Sequence, residues 1–254
     1  MSIGVADDNM GNRHIGVDEA GRGPAIGPLV VCALSIPADD RAILTELGVD
    51  DSKNLAKRKR EAIHSEIIAI SEKRDWGIGL ITCDAMSIDL WMESGTLNSL
   101  EVRAFADAIS KVAPSSFEFS VFLDACDVDA ARFGRNVSSS MKKIGGEFKI
   151  FSEHRMDSKD VVTGAASIIA KVNRDWAIEK ISEELDIDLG SGYPSDPKSK
   201  AAIEELCSRD SPEDCLRRKW KNVEKAWLGH HRKPIPPRSN EAGNSFQSAL
   251  DEWK

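Results

Sequence analysis

The chain has 254 residues, 41% of them hydrophobic and 30% charged, and no apolar run long enough to cross a bilayer. It can bury a substantial core, and its five widely spaced cysteines (Cys32, Cys83, Cys126, Cys207 and Cys215) hold no C-x-x-C, which argues against structural zinc or a disulfide framework and for a reducing cytosol or nucleus. A formal net charge of -8 disfavours phosphate binding by the average surface, so any such contact must come from local basic clusters.

Three clusters qualify: Lys57-Arg58-Lys59-Arg60, Arg217-Arg218-Lys219 with Lys221, and His230-His231-Arg232-Lys233. Each is either a solvated face or part of a track opposite an acidic pocket. The first ten residues are polar, without the basic-then-apolar order of a secretory signal.

In chain order, residues 14–18 read as a short strand ending in a carboxylate, and residues 28–36 as a β-rich strand closed by Pro37. The Gly- and Pro-bearing turn Ala20 to Pro28 joins them as a wide hairpin. Residues 55–72 carry Ile63, Ile67 and Ile70 at helical spacing, Trp76 to Cys83 reads as a third strand, and Leu97 to Val112 gives a second helical stripe stopped by Pro114. Phe119 to Asp124 alternates as a strand with a carboxylate at its end, a short helix spans 129–143, and Glu147 to Ser152 is a fifth strand. A long helix runs from about Ser158 to Leu185 with Val161, Ala165, Ile168, Val172 and Trp176 on its apolar face, and two shorter helices fill 197–207 and 212–228. Lys233 to Ser245 is rich in Pro, Ser, Asn and Gly and reads as a flexible linker before the amphiphilic end 246–254. The order implies an α/β fold around one mixed sheet with a helical C-terminal part.

Asp18, Glu19, Asp124 and Asp157 fall at strand ends or just beyond one. If those ends are neighbours, four carboxylates converge, repel, and raise each other's proton affinity. A divalent cation is the usual compensation, and oxygen ligands without His or Cys suit Mg²⁺ or Mn²⁺ and two-metal phosphoryl transfer. Taken singly, each is as readily a turn residue or a helix cap, the role assigned to nearby Asp127 and Asp129.

Four neighbouring motifs bear on the choice. Gly21-Arg22-Gly23-Pro24 is either a tight turn or a loop that lets backbone N–H groups and a guanidinium approach a ligand. Asp51-Ser52-Lys53 is either an N-cap with a surface lysine or a lysine and helix terminus aimed at phosphate. Thr163, Ser167, Lys171 and Arg174 form one polar stripe on the long helix. Gly190-Ser191-Gly192-Tyr193-Pro194 holds the only tyrosine on a rigid loop, where it either stacks on a sugar or base or fills a connector.

In this order, the segments Asp18-Glu19-Ala20-Gly21-Arg22-Gly23-Pro24, Asp51-Ser52-Lys53, Leu123-Asp124-Ala125, Asp157 with Ala165 to Val172, and Gly190 to Pro194 resemble type 2 ribonuclease H (ribonuclease HII), in its archaeal and eukaryotic branch. The resemblance implies a ribonuclease H-like fold, with residues 1–189 as catalytic domain, 190–230 as a helical part completing a substrate groove, and 231–254 as a flexible tail. It implies cleavage of the RNA strand of RNA–DNA hybrids, and incision 5′ of single ribonucleotides in duplex DNA. It assigns Asp18, Glu19, Asp124 and Asp157 as catalytic, metal-binding carboxylates holding two Mg²⁺ or Mn²⁺ ions. It assigns Gly21, Arg22 and Gly23 to the ribose 2′-hydroxyl, Tyr193 to the following deoxyribose, and Lys53, Ser167 and Lys171 to backbone phosphates. Arg155-Met156 departs from the Lys-Ala more usual before the last aspartate.

At the C-terminus, Gln247, Leu250 and Trp253 fit Gln-x-x-Leu-x-x-aromatic, which resembles a sliding-clamp-binding box, with Lys254 in place of the usual second aromatic. The protein is expected to act as a monomer on nucleic acid, without a membrane partner. The alternative function is a non-catalytic nucleic-acid-binding subunit of the same fold.

Overall fold

The computed structural model describes residues 13–49, 55–114, 118–141 and 147–238. Lys53, Gln247, Leu250 and Trp253 lie outside the described residues.

Five strands, β1 (Arg13–Ala20), β2 (Leu29–Pro37), β3 (Gly77–Cys83), β4 (Phe119–Asp124) and β5 (Phe148–Glu153), form one mixed sheet in the order β3-β2-β1-β4-β5. The central strands β1 and β2 are buried nearly throughout; β2 reads as a nearly continuous apolar run, whereas β1 carries the polar residues Arg13, His14, Asp18 and Glu19 around its apolar centre. β4 runs parallel to both β1 and β5.

Among the described residues the helices are α1 (Arg41–Glu46), α2 (Lys57–Ser71), α3 (Ala85–Trp91), α4 (Leu97–Ser110), α5 (Ala130–Ser140), α6 (Val161–Leu185), α7 (Pro197–Ser208) and α8 (Lys221–His231). None is long and apolar enough to cross a membrane.

The chain forms two compact units, each discontinuous in sequence. One comprises Met1–Ala20, Val31–Ile81 and Glu101–Val172, the other Gly21–Val30, Thr82–Leu100 and Asn173–Lys254. The first is built on the sheet. Ile15, Val17, Val121 and Leu123 are fully buried, and Phe105 meets Phe133 edge to face at 5.1 Å. The second has its own core, in which Ile26, Leu189, Leu206, Leu216, Val223 and Trp227 pack together.

Most expected elements form within two or three residues of their sequence bounds, and three departures have identifiable physical causes. First, α1 and α3 were not expected. Six and seven residues are too few to show a helical repeat, although Asp84 caps α3 by accepting from the Ser87 N–H at 2.7 Å. Second, the helix expected over 212–228 begins only at Lys221. The preceding residues pair with another segment instead: Gly27 N–H donates to the Cys215 carbonyl and Arg217 N–H to the Ala25 carbonyl, both at 2.9 Å. Third, the expected linker is held down over its first part. Arg238 is only 8% exposed and donates to Asp89 at 3.1 Å, to Asp214 at 2.7 Å and to the Leu216 carbonyl at 2.8 Å.

α6 also differs from a surface helix. Residues 161–170 are buried on every side, including Thr163 and Ser167 of the polar stripe, whereas Trp176 is exposed. Gly16 on β1 allows this close seating, since a Cβ there would lie 2.2 Å from the Thr163 backbone nitrogen. Gly16→Ala is therefore expected to cost about 1–3 kcal/mol by overpacking, read as a lower urea midpoint. A wild-type midpoint would show that α6 is not seated on β1 at this position.

Candidate active site

The parallel register of β1 and β4 runs from Arg13 opposite Phe119 to Val17 opposite Leu123. One residue further, it sets Asp18 beside Asp124 at the C-terminal ends of adjacent strands. β5 continues past Glu153 into a turn in which Arg155 takes a left-handed conformation (φ 58, ψ 39). That reversal starts the 3-10 turn Met156–Ser158, which carries Asp157, and lets the Met156 N–H donate to Asp124 Oδ1 at 3.2 Å. The Arg-Met pair thus supplies a backbone contact and a buried side chain to the site.

Asp18, Asp124 and Asp157 each present a carboxylate oxygen, and these three oxygens lie within 4.8 Å of one another. Opposite ligands of an octahedral Mg²⁺ stand about 4.2 Å apart, so three oxygens within 4.8 Å of one another need to close by no more than about 0.6 Å to ligate one hard cation. Glu19 falls in a neighbouring group with Glu101 and Cys126, whose ligand atoms also lie within 4.8 Å of one another. The expected four carboxylates therefore form a trio with Glu19 alongside. Glu101 is fully buried and Cys126 partly so. Neither stood out in sequence, because Glu101 sits within the apolar stripe of α4 and Cys126 lacks a cysteine partner.

The electrostatics follow from burial. Burial and then the adjacent Glu19 raise the proton affinity of Asp18 well above the usual carboxylate range, while Ser167 and Lys171 on α6 favour its charged form. Burial raises Glu19 as well. Burial, then the charges of Asp18 and Asp157, push Asp124 up to about 7, against the Met156 and Arg155 N–H groups that favour its anion.

The remaining expected residues lie in the other compact unit. Gly21 has a left-handed φ of 93, and a Cβ there would meet the Pro28 carbonyl oxygen at 2.4 Å. The Arg22 guanidinium donates to Asn98 Oδ1 at 2.5 Å, a partner that sequence spacing did not mark. The loop and Tyr193 come together, since a Cβ at Gly23 would stand 3.2 Å from the ring. Tyr193 is 40% exposed, and Arg174 lies 5.5 Å from its ring centroid while donating to the Ser191 carbonyl. Arg217, grouped by sequence with a solvated face or basic track, is instead fully buried.

A raised carboxyl pKa means that the folded protein binds the proton more tightly than the unfolded chain does. Asp124 then lowers the stability of the metal-free protein as pH rises from its ordinary value of 3.8 to about 7. The melting temperature of Asp124→Asn in EDTA is expected to exceed that of wild type by a margin that widens between pH 5 and pH 8. A margin independent of pH would show that Asp124 is not under this repulsion.

The Ribonuclease HII family model matches residues 15–223. The chain is 41% identical over 209 residues to ribonuclease HII of Methanocella arvoryzae, covering 82% of this chain and 88% of that protein. It is 39% identical over 218 residues to ribonuclease HII of Thermococcus onnurineus, covering 83% and 88%. Among solved structures, ribonuclease H2 from Pyrococcus horikoshii superposes with a TM-score of 0.76 at 33% identity, covering 87% of this chain and all of that one. The ribonuclease HII in the PCNA:RNase HII complex from Archaeoglobus fulgidus gives 0.71 at 32%, covering 82% and 95%. With a matching family model over most of its length and relatives near 40% identity, the chain belongs to the ribonuclease HII family of ribonuclease H hydrolases.

Proposed function

We propose that this protein is a divalent-metal-dependent endoribonuclease that cleaves the RNA strand of RNA–DNA hybrids and incises 5′ of single ribonucleotides in duplex DNA, leaving 3′-hydroxyl and 5′-phosphate ends. The observation that carries the proposal is the approach of the Asp18, Asp124 and Asp157 carboxylates within 4.8 Å, buried or half-buried. Burial raises the proton affinity of Asp18 and Asp124, and the charges of Asp18 and Asp157 raise that of Asp124 further; carboxylates placed in this way are poor structural residues and good ligands for a hard cation. Asp18, Glu19, Asp124 and Asp157 hold two ions, Mg²⁺ or Mn²⁺, which when bound stabilise charge at the scissile phosphate and activate the attacking water. Ser167 and Lys171, placed on the Asp18 side of α6, orient the backbone phosphate, with Lys53 as a further phosphate contact.

Selection of RNA rests on the 2′-hydroxyl, the group that distinguishes a ribonucleotide from its neighbours. Gly21, Arg22 and Gly23 read that hydroxyl, and the half-exposed Tyr193 ring stacks on the sugar that follows. The biological role is removal of misincorporated ribonucleotides and of RNA primers in the cytoplasm, by a monomer.

The decisive test uses the purified chain on a DNA duplex with one ribonucleotide. Wild type is expected to cut 5′ of that residue only with Mg²⁺ or Mn²⁺ present and to leave plain DNA intact. Asp124→Asn is expected to lower kcat by at least about a thousandfold while substrate binding, measured by fluorescence anisotropy, survives. Near-normal turnover by that variant would remove the site.

Gln247, Leu250 and Trp253 form a sliding-clamp-binding box, an apolar anchor for a groove on the clamp. The relative found with PCNA supports this reading. Deleting residues 246–254 is expected to abolish clamp binding in calorimetry while leaving hybrid cleavage intact. Undiminished clamp affinity would place the contact elsewhere.

A further inference from the structure

Arg217 is fully buried, and its guanidinium is committed to one loop. Nη2 donates to the Gly21 carbonyl at 2.6 Å, Nη1 to the Arg22 carbonyl at 3.1 Å, and Nε to the Gly27 carbonyl at 2.9 Å. The Trp220 ring lies against the guanidinium, 4.9 Å from carbon to ring centroid, and its indole N–H donates to the Gly23 carbonyl at 3.2 Å. Three consecutive carbonyls, those of Gly21, Arg22 and Gly23, are thus tied to two side chains nearly two hundred positions away in sequence.

Among the described residues no carboxylate forms an ion pair with Arg217. Burying a cation in this way is costly, and burial holds its pKa down at about 9. An apolar side chain would fill the same space at lower cost. What a guanidinium alone supplies is a planar fork of donors with fixed spacing. The expense is therefore accounted for by the conformation it imposes on the loop.

That conformation has a chemical consequence. Among the described residues there are no cis peptides, and in a trans peptide the N–H points opposite to the C=O. Drawing the Gly21 and Arg22 carbonyls towards the buried guanidinium turns the Arg22 and Gly23 N–H groups the other way. Gly23 is exposed, and the next peptide, ending in Pro24, has no N–H. Two adjacent amide donors are held in one orientation on a loop whose Gly23 lies beside the Tyr193 ring, an arrangement suited to a single oxygen acceptor.

We propose that Arg217 and Trp220 are positioning residues for substrate selectivity: they lock the peptide planes of Gly21-Arg22-Gly23 so that the loop reads a ribonucleotide followed by a deoxyribonucleotide, a junction that the lone ribonucleotide offers and a uniform RNA strand does not. This rests on the reading above, in which that loop reads the 2′-hydroxyl, and adds the residues that give it its shape.

The test compares kcat/KM on duplex DNA containing one ribonucleotide with kcat/KM on a uniform RNA–DNA hybrid. Arg217→Lys keeps the charge and loses the fork. Trp220→Phe keeps the ring and loses the donor to Gly23. The ratio of the two rates is expected to fall about tenfold in Arg217→Lys and about threefold in Trp220→Phe, with Arg22→Ala as the reference for a disabled loop. A role confined to packing would lower both rates together and leave the ratio at its wild-type value. That result in Trp220→Phe overturns the proposal, and it decides alone if Arg217→Lys lacks a cooperative melting transition. Failure of wild type to incise the single-ribonucleotide duplex would be a different result: it would overturn the proposed function, and this inference with it.

Discussion

Repulsion among the carboxylates at the C-terminal ends of β1 and β4 is the constraint to which the sheet-based unit is fitted. Two unit charges 4 Å apart repel by about 4 kcal/mol at an effective dielectric of 20, comparable with a large part of a domain's net stability. The parallel register sets Asp18 beside Asp124, and the left-handed turn at Arg155 brings in Asp157. Around them the chain places what partial compensation it has: the Met156 N–H on Asp124, and Ser167 and Lys171 on the side of Asp18. Gly16 belongs to the same arrangement, because α6 delivers Ser167 and Lys171 only if it sits hard against β1.

Arginine shows how far burial changes the meaning of a charge. Within one basic cluster in sequence, Arg217 is buried and bonded to loop carbonyls, whereas Arg218 donates to the Pro236 and Pro237 carbonyls. Arg238 is likewise buried and bonded to Asp89 and Asp214. In the second unit, guanidinium groups do work that regular secondary structure does elsewhere: they satisfy the carbonyls of irregular backbone and so fix its shape. Counting charges along the chain treats these residues as surface, which is why an acidic total said little about what the protein binds.

This separates what was legible in sequence from what was not. Strands with strong alternation, such as Phe119–Asp124, and long apolar periodicities, such as α6, were readable because their pattern is local. So was the identity of the strand-end carboxylates, since a polar residue closing an apolar strand stands out. The pairing of Gly27 with Cys215, which displaces the start of α8, depends on two segments far apart in sequence and leaves no local trace. The same holds for Glu101, a buried acid in an apolar stripe whose position beside Glu19 and Cys126 emerges only when α4 is set against the sheet. The roles of Asn98, Arg217 and Trp220 were hidden for a related reason: each is defined by a partner, Arg22 or a loop carbonyl, that spacing does not predict.

Two aspartates show how a carboxylate satisfied by the fold differs from one proposed to hold a cation. Asp160 is buried, but Arg41 reaches it at 2.6 Å, His14 at 3.2 Å and the Thr163 N–H at 2.8 Å, and together these hold its proton affinity below the ordinary value. It caps α6, and its charge is satisfied by the fold itself. Asp124 is pushed the opposite way by its own burial and then by Asp18 and Asp157, and the backbone N–H groups near it do not make up the difference. A fold that can satisfy Asp160 with a cation and two further donors had the means to do the same for Asp124. That it leaves this carboxylate, with Asp18, facing another anion instead is intelligible if the missing positive charge arrives from outside the chain, and the requirement for a cation is then a property of the strand register before it is a property of the reaction.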